Sequence, residues 1–155
     1  MKPEIRESAP RKLVGMRMEM TLSDNKTSDL WRQFIPRRGE VKNRVSRDFI
    51  SLQNYRENWN FSADRRFEKW ALVEVSSTVD VPVDMGTYYL QGGQYAVFSH
   101  KGPASDAPEI MRYIFAEWIP NSEYTIDDRE HFEVLPEGYN PMDLEATEEI
   151  WIPIK

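Results

Sequence analysis

The 155-residue chain contains no cysteine. This absence excludes disulfide bonds, thiolate catalysis and cysteine-based zinc sites, and it is typical of proteins of the reducing cytoplasm. Long apolar runs are also missing, since no stretch approaches the roughly 20 residues that span a membrane. The N-terminal MKPEIRESAPRK carries charges and prolines where a secretory signal requires an apolar run. We therefore expect a cytoplasmic protein that does not contact membranes.

A surplus of basic residues is lacking as well. The chain has 20 Lys and Arg against 26 Asp and Glu, which gives a formal net charge of −6. Because the neutralisation of phosphates requires surplus positive charge, this balance disfavours nucleic acid as a partner and favours cations. The basic residues of one short run are interpreted as a solvated helix end: Arg37, Arg38, Lys42, Arg44 and Arg47.

Signals for cofactors are absent too. The only histidines are His100 and His131, and a zinc site needs at least three converging protein ligands. The pair Gly92 and Gly93 precedes a strand pattern, whereas a phosphate-binding glycine loop opens a helix. The sequence thus predicts neither a metal nor a nucleotide cofactor, and both histidines are interpreted as ordinary strand-end residues.

The first half of the chain shows the pattern strand, helix, strand, strand. KLVGMRMEMTL alternates with a period of two, which predicts a strand. Four apolar residues then recur at helical spacing, namely Leu30, Trp31, Phe34 and Ile35. Pro36 is expected to bend or divide that helix. DFISLQNY and FEKWALVEVS are rich enough in β-branched and aromatic residues to predict strands, with a loop over 56–66 between them.

The second half repeats this order from about residue 85. TYYLQGGQYAVFSHKG predicts a strand entered by a glycine pair, and DAPEIMRYIFAEWIP predicts a helix from near Pro108 to Pro120. HFEVLP and EEIWIPIK predict the last two strands. We therefore predict a single α+β domain over 1–155, in which duplicated strand-helix-strand-strand modules, about 11–77 and 85–155, form a curved antiparallel sheet with two main helices.

Within HFEVLP, Glu133 is a lone acid in an otherwise apolar strand. A carboxylate in a strand core costs free energy unless a partner opposes its charge. One interpretation is a structural acid bonded to an Arg, a Lys or a tyrosine hydroxyl across the sheet, and the other is a pocket acid that meets a cation. The tryptophans likewise allow core packing or a pocket wall. Trp151 must point away from Ile150 and Ile152, which makes it the better pocket candidate.

The strings GQYAVFSHKG, EWIPNSEY, HFEVLP and EIWIPIK occur in this order, with DLWRQFIPRR and FEKWALVEV ahead of them. With this ordered set the chain resembles, over nearly its whole length, the GyrI-like small-molecule-binding family, also called the effector-binding domain attached to AraC-type and MerR-type transcription regulators. The resemblance implies a ligand groove enclosed by the two halves, in which Glu133 faces a lipophilic cation. The aromatic candidates for the pocket wall are Trp151, Trp118 and Tyr113, to which we add Trp70.

The resemblance suggests three functions. The first is the capture of hydrophobic, cationic small molecules for sensing or sequestration, without turnover. The second is hydrolysis of cyclopropane-bearing genotoxins, in which Glu133 would activate water and a hydroxyl from Tyr113 or Tyr88 would polarise a leaving group. The third is inhibition of a DNA-handling enzyme by protein contact. Fused family members carry a DNA-binding module ahead of this domain, and because the first predicted strand begins near residue 11, we expect a stand-alone form.

Overall fold

The computed structural model of the protein describes residues 1–56, 59 and 61–155. Eight strands form one sheet in which every pairing is antiparallel. They are β1 (Glu4–Ser8), β2 (Arg11–Met20), β3 (Phe49–Asn54), β4 (Phe67–Val75), β5 (Gly86–Leu90), β6 (Gly93–Lys101), β7 (His131–Leu135) and β8 (Thr147–Pro153). The predicted α+β class with an antiparallel sheet is confirmed.

The strand order is β1-β6-β8-β7-β3-β4-β2-β5. Each half contributes a block of three strands, β3-β4-β2 from the first and β7-β8-β6 from the second, and the blocks meet where β3 pairs with β7. The halves also exchange an edge strand, because β1 pairs with β6 while β5 pairs with β2. This shared connectivity supports a duplication, and the module bounds 11–77 and 85–155 stay a prediction.

Two strand assignments differ from the sequence expectation. The first strand begins at Glu4 rather than near residue 11. Its EIRES sequence is charged, because an edge strand has only one neighbour and tolerates polar residues on its exposed side. The single strand expected around the glycine pair is two strands, since Gly92 and Gly93 adopt φ values of +87° and +127° and turn the chain between β5 and β6.

Two helices lie on one face of the sheet. The first, α1, covers Thr27–Phe34 and continues as a 3-10 helix over Ile35–Glu40, so Pro36 falls where the α-helical pattern ends. The second, α2, covers Ala107–Tyr113 and extends through a π-helical turn, Ile114–Trp118, and a last turn, Ile119–Asn121. It passes the expected stop at Pro120 by one residue, because proline is tolerated in the first turn of a helical segment.

None of the helices in the described ranges is long and apolar enough to span a membrane. The loop predicted for 56–66 includes 57, 58 and 60, which lie outside the described residues, and the rest of it contains no helix or strand.

The helical face carries two separate apolar clusters. Leu30 and Phe34 of α1 pack on β2 and β4, while Ile110 and Ile114 of the second helix pack on β6 and β8. The central strands β3 and β7 therefore lie between the two helices, and we call this part of the helical face the groove floor.

The opposite face is buried by the curvature of the sheet itself. There Arg11 of β2 lies 5.1 Å from the ring of Trp151 on β8, although three strands separate β2 from β8 in the sheet. Residues of strands near both ends, such as Leu13, Leu90 and Tyr95, join one cluster on this face. Each face of the sheet thus carries apolar core residues, which the helices cover on one face and the curled sheet covers on the other.

Candidate functional site: a polar floor between two helices

The floor of the groove is polar where an ordinary core would be apolar. Six polar side chains are buried in the described part of the chain, and all except Ser8 lie on the helical face of the sheet. Buried polar groups cost free energy unless they are paired, so their concentration in one place indicates a functional requirement. With the two half-buried glutamates beside them they form the groove floor: Ser51, Gln53, Lys69, His100, His131, Glu133 and Glu148.

Glu133 lies at the centre of this floor. On β7 it pairs with Ser51 of β3 on one side and with Ile150 of β8 on the other. Its Oε1 accepts a hydrogen bond from Gln53 Nε2 at 3.1 Å and lies 3.8 Å from Lys69 Nζ, and its side chain is 17% exposed. Burial raises the pKa of Glu133, and the charge of Lys69 opposes that rise.

Lys69 is thus the cross-sheet partner that a structural acid would have. The ion pair accounts for the position of Lys69, but it does not account for the aromatic side chains that gather beside Glu133.

A second carboxylate, Glu148, lies on the same floor. Its Oε1 is 3.4 Å from His100 Nδ1, and its Oε2 accepts a hydrogen bond from the Tyr139 hydroxyl at 3.4 Å. The other ring nitrogen of His100 lies 3.0 Å from an oxygen of Asp106. Burial raises the pKa of Glu148, and His100 opposes the rise. His100 is therefore at a strand end, as predicted, but it is buried between two carboxylates.

An aromatic cluster stands at one end of the floor. Tyr55 stacks on Trp59 with ring centroids 4.4 Å apart, and its edge-on contact with the His131 ring is 4.9 Å. The π-helical turn of the second helix adds Phe115, which lies 6.0 Å from His131. The complete cluster is Tyr55, Trp59, Phe61, Phe67, Phe115 and His131.

His131 contributes a neutral ring to this cluster. Burial, assisted by Arg129, lowers the pKa of His131 to about 3, so the ring carries no charge at neutral pH. A protonated imidazole would repel a cation two residues from Glu133, whereas a neutral ring is an apolar wall. Among the described residues, no three His, Asp or Glu side chains are placed to hold a metal ion.

A cavity of about 420 Å³ opens beside the aromatic cluster. Its lining includes four members of this cluster, Tyr55, Trp59, Phe61 and His131. The lining also carries charge of both signs, from Arg56, Asp127, Asp128, Arg129 and Glu130. This size falls within the range of about 300–1,000 Å³ that is typical of small-molecule sites.

The structure places two predicted wall residues, Trp118 and Tyr113, on the helical face but on its outer flank. Trp118 packs edge-on against Phe98 at 5.3 Å and stacks with Tyr124 at 6.2 Å. The Tyr113 hydroxyl donates a hydrogen bond to the carbonyl of Met1 at 2.8 Å, so it points to the N-terminal edge of the sheet.

Trp151 and Trp70 lie on the opposite face of the sheet from Glu133. Trp151 pairs with Phe132, the neighbour of Glu133, and stacks on it with centroids 5.1 Å apart. Trp151 points away from Ile150 and Ile152, as predicted. It is the two isoleucines, however, that share the sheet face of Glu133. The structure therefore does not bring either tryptophan together with this acid.

Trp70 lines a different cavity of about 600 Å³ near β2 and β5. This cavity is larger than the one beside the aromatic cluster, but Arg17 and Arg37 are among its lining residues and would repel a cation. For a cationic ligand the smaller cavity is the better match, because its lining carries three acids against two arginines, whereas that of the larger cavity carries one acid against two. Glu133 is not among the lining residues of the smaller cavity, but His131, two residues before it on β7, is.

Sequence reasoning missed most of the floor, although the chain carries a signal for part of it. In β4 every second residue after Lys69 is apolar, namely Ala71, Val73 and Val75. The lysine therefore lies on an otherwise apolar strand face. The aromatic density of the predicted loop, with Tyr55, Trp59 and Phe61, is a second available signal. Neither signal shows that these residues meet Glu133, because that depends on the pairing of β3 with β4 and β7.

A family model described as GyrI-like small molecule binding domain matches residues 1–155. The chain is 26% identical over 147 residues to the transcriptional regulator BrlR of Pseudomonas aeruginosa, covering 92% of this chain and 51% of BrlR. It thus spans about half the length of that relative.

Among solved structures, SAV2435 bound to tetraphenylphosphonium aligns with 100% of the chain and 94% of its own length, with a TM-score of 0.73 and 17% identity. A hydrolase from Listeria innocua aligns with 99% of the chain and 92% of its own length, with a TM-score of 0.63 and 11% identity. At these identities the structural matches establish the fold alone.

Proposed function

Because the chain belongs to the GyrI-like small-molecule-binding family, we propose that it binds hydrophobic cations in the groove between its helices and releases them unchanged. The observation that carries this proposal is the half-buried carboxylate of Glu133 next to the aromatic cluster. A buried acid favours a ligand that brings a positive charge, and aromatic rings favour a ligand with apolar surface.

The two parts of the site have different energetic roles. Apolar surface removed from water contributes about 25 cal/mol per Å², so the aromatic cluster supplies most of the affinity for any greasy ligand. A cation over an aromatic face adds about 0.5–2 kcal/mol. Glu133 distinguishes ligands by charge, because its carboxylate lies on the same strand face as His131 of the aromatic cluster, two residues along the chain.

The similar proteins support this assignment. BrlR is named a transcriptional regulator, and SAV2435 was solved with tetraphenylphosphonium, a lipophilic cation. We therefore propose a role in sensing or sequestration of such compounds, in which the domain described here is the ligand-binding part.

A matched pair of ions tests the proposal. Tetraphenylphosphonium and tetraphenylborate share size and shape and carry opposite charges. We expect the wild-type protein to bind the phosphonium at least about 10-fold more tightly than the borate in calorimetry. The reason is that the groove floor carries two carboxylates, Glu133 and Glu148, against the single ammonium of Lys69. Equal affinities, or a preference for the borate, would contradict cation capture.

A second candidate is hydrolysis, for which one observation can be cited. Burial raises the pKa of Tyr55, and the charge of Glu133 adds to the rise, so the charge of the acid reaches a hydroxyl group that could polarise a leaving group. The two tyrosines named from the sequence are directed elsewhere. The Tyr88 hydroxyl donates to Glu130 Oε1 at 2.8 Å, and that of Tyr113 bonds to Met1.

Turnover distinguishes the two candidates. On the capture proposal, a cyclopropane-bearing electrophile incubated with the protein is recovered unchanged by chromatography and mass spectrometry. Formation of a ring-opened product by the wild type, lost in both Glu133→Gln and Tyr55→Phe, would assign the site to hydrolysis instead.

A further inference from the structure

Part of one edge of β2 has no strand partner. On one side β2 pairs with β4 along nearly its whole length, from Lys12 to Met20. On the other side the pairing with β5 ends at Gly15, which lies opposite Gly86. In the described part of the chain, the five residues Met16–Met20 form no backbone hydrogen bond on that side, and we call them the open edge. An open strand edge is a template for pairing with another strand.

The sequence of the open edge is complementary to itself. It reads Met-Arg-Met-Glu-Met, so antiparallel pairing of two copies about Met18 sets Arg17 of each copy opposite Glu19 of the other. The methionines then lie opposite methionines. A register shifted by two residues sets Arg17 opposite Arg17 or Glu19 opposite Glu19, and a shift of one residue places the side chains on mismatched faces. Only one register therefore joins unlike charges.

The two charged side chains of the open edge are available for this pairing. Both are exposed, and within the chain Arg17 pairs with Glu68 at 2.9 Å while Glu19 pairs with Arg56. Exposed ion pairs contribute little to stability, so these partners can be exchanged for partners across the edge. The open edge also contains no proline, which is one of the usual protections against edge pairing.

The cavity of about 600 Å³ lies where the open edge begins, because Gly15 and Met16 are among its lining residues. A strand from a second copy cannot continue past Met16, since Gly15 is already paired with Gly86. It has to leave the edge just after its own Met20, which brings its Leu22 to the cavity. Leu22 is 40% exposed in the single chain, and the cavity lining offers it two further apolar side chains, Met85 and Trp70.

We propose that two copies of this chain pair along the open edges of β2, so that their two eight-stranded sheets join in a symmetric dimer. Arg17 and Glu19 set the register, and Leu22 of each copy enters the cavity of the other. Because the same surface is used on both copies, the contact closes at two copies and does not extend into a fibre. The inference is independent of cation capture, since β4 separates β2 from β3 and β7.

Charge reversal at the open edge tests the pairing. We expect the wild-type protein at about 100 μM to sediment as a dimer with twice its 18.3 kDa mass. Arg17→Glu and Glu19→Arg should each weaken the dimer at least about 10-fold, because each sets two pairs of like charges across the edge. A mixture of the two variants should form a heterodimer, because every acid at these positions then faces a base.

Arg112→Glu is the matched control. Arg112 lies on the second helix, over β6 and β8, and its side chain is 63% exposed against 59% for Arg17. It also pairs with an acid of its own chain, Glu117, at 3.1 Å. Its reversal should leave the dimer unchanged. Leu22→Ser should weaken the dimer about 3–10-fold, because it removes the apolar side chain that enters the cavity.

Three results contradict the proposal. If the wild type sediments as a monomer at about 100 μM, pairing along β2 is wrong. If the wild type is a dimer that neither reversal weakens, the copies associate through another surface. If both reversals weaken the dimer but their mixture does not restore it, Arg17 and Glu19 do not face each other, and the register is wrong.

Discussion

Replacing Glu133 by glutamine is expected to weaken tetraphenylphosphonium binding about 30-fold, equivalent to about 2 kcal/mol. The substitution keeps the size of the side chain and a carbonyl oxygen for the Gln53 amide, but it removes the charge that faces the cation. Neutral triphenylphosphine oxide, which shares the phenyl rings, should change by less than about 3-fold, because its affinity comes from apolar burial. Calorimetric titration of both ligands measures the difference.

The same acid makes binding depend on pH. Burial raises the pKa of Glu133 above its ordinary value of 4.5 in the free protein, and a bound cation favours the ionised form. Cation affinity should therefore be full above the raised pKa and fall as the pH drops through it, with proton release on binding in that window. Titration in buffers of different ionisation enthalpy counts these protons, and Glu133→Gln should abolish this contribution.

Glu149→Gln is the matched control for this prediction. Glu149 is an acid on the next strand, but it lies on the opposite face, where it pairs with Arg6 at 3.1 Å. Its replacement should leave phosphonium affinity within about 2-fold of the wild type. If the two variants weaken binding equally, the effect is one of net charge rather than of a carboxylate in the groove.

Replacing Phe132 by alanine is expected to lower the free energy of unfolding by about 3–5 kcal/mol. Phe132 is 0% exposed and contacts the rings of both Tyr95 and Trp151, with centroid distances of 5.2 and 5.1 Å. Truncation leaves a cavity in the core formed by the curled sheet and removes two aromatic contacts. Urea unfolding followed by tryptophan fluorescence measures the loss.

Phe132 and Glu133 are chain neighbours on opposite faces of the sheet. Substitutions at these two positions therefore test which face holds the ligand. Phe132→Leu, which retains most of the volume, should cost about 1–1.5 kcal/mol and leave phosphonium affinity unchanged in the folded protein. A large loss of affinity in this variant would show that the Trp151 face, rather than the helical face, holds the ligand.

The groove shows where sequence reasoning succeeds and where it ends. Glu133 was found from one strand alone, because a charge among apolar residues is visible without knowing its neighbours. Gln53 and Lys69 touch it only through cross-strand pairing, at a separation along the chain of 80 residues for Gln53. Such pairings depend on how β3 aligns with β7, and no local pattern encodes that register.

The sequence by itself determined the strands, the helices and the alternation that sets Trp151 against Ile150 and Ile152, because these follow from periods of two and about 3.6 residues within short segments. There were two exceptions: the charged edge strand β1, which has no apolar period to detect, and the strand predicted around Gly92 and Gly93, which is divided into β5 and β6. Only the tertiary structure decided which strand face lines the groove. Both faces of this sheet are buried, one by helices and one by its own curvature, so alternation separates Trp151 from the isoleucines without showing which of them accompanies Glu133.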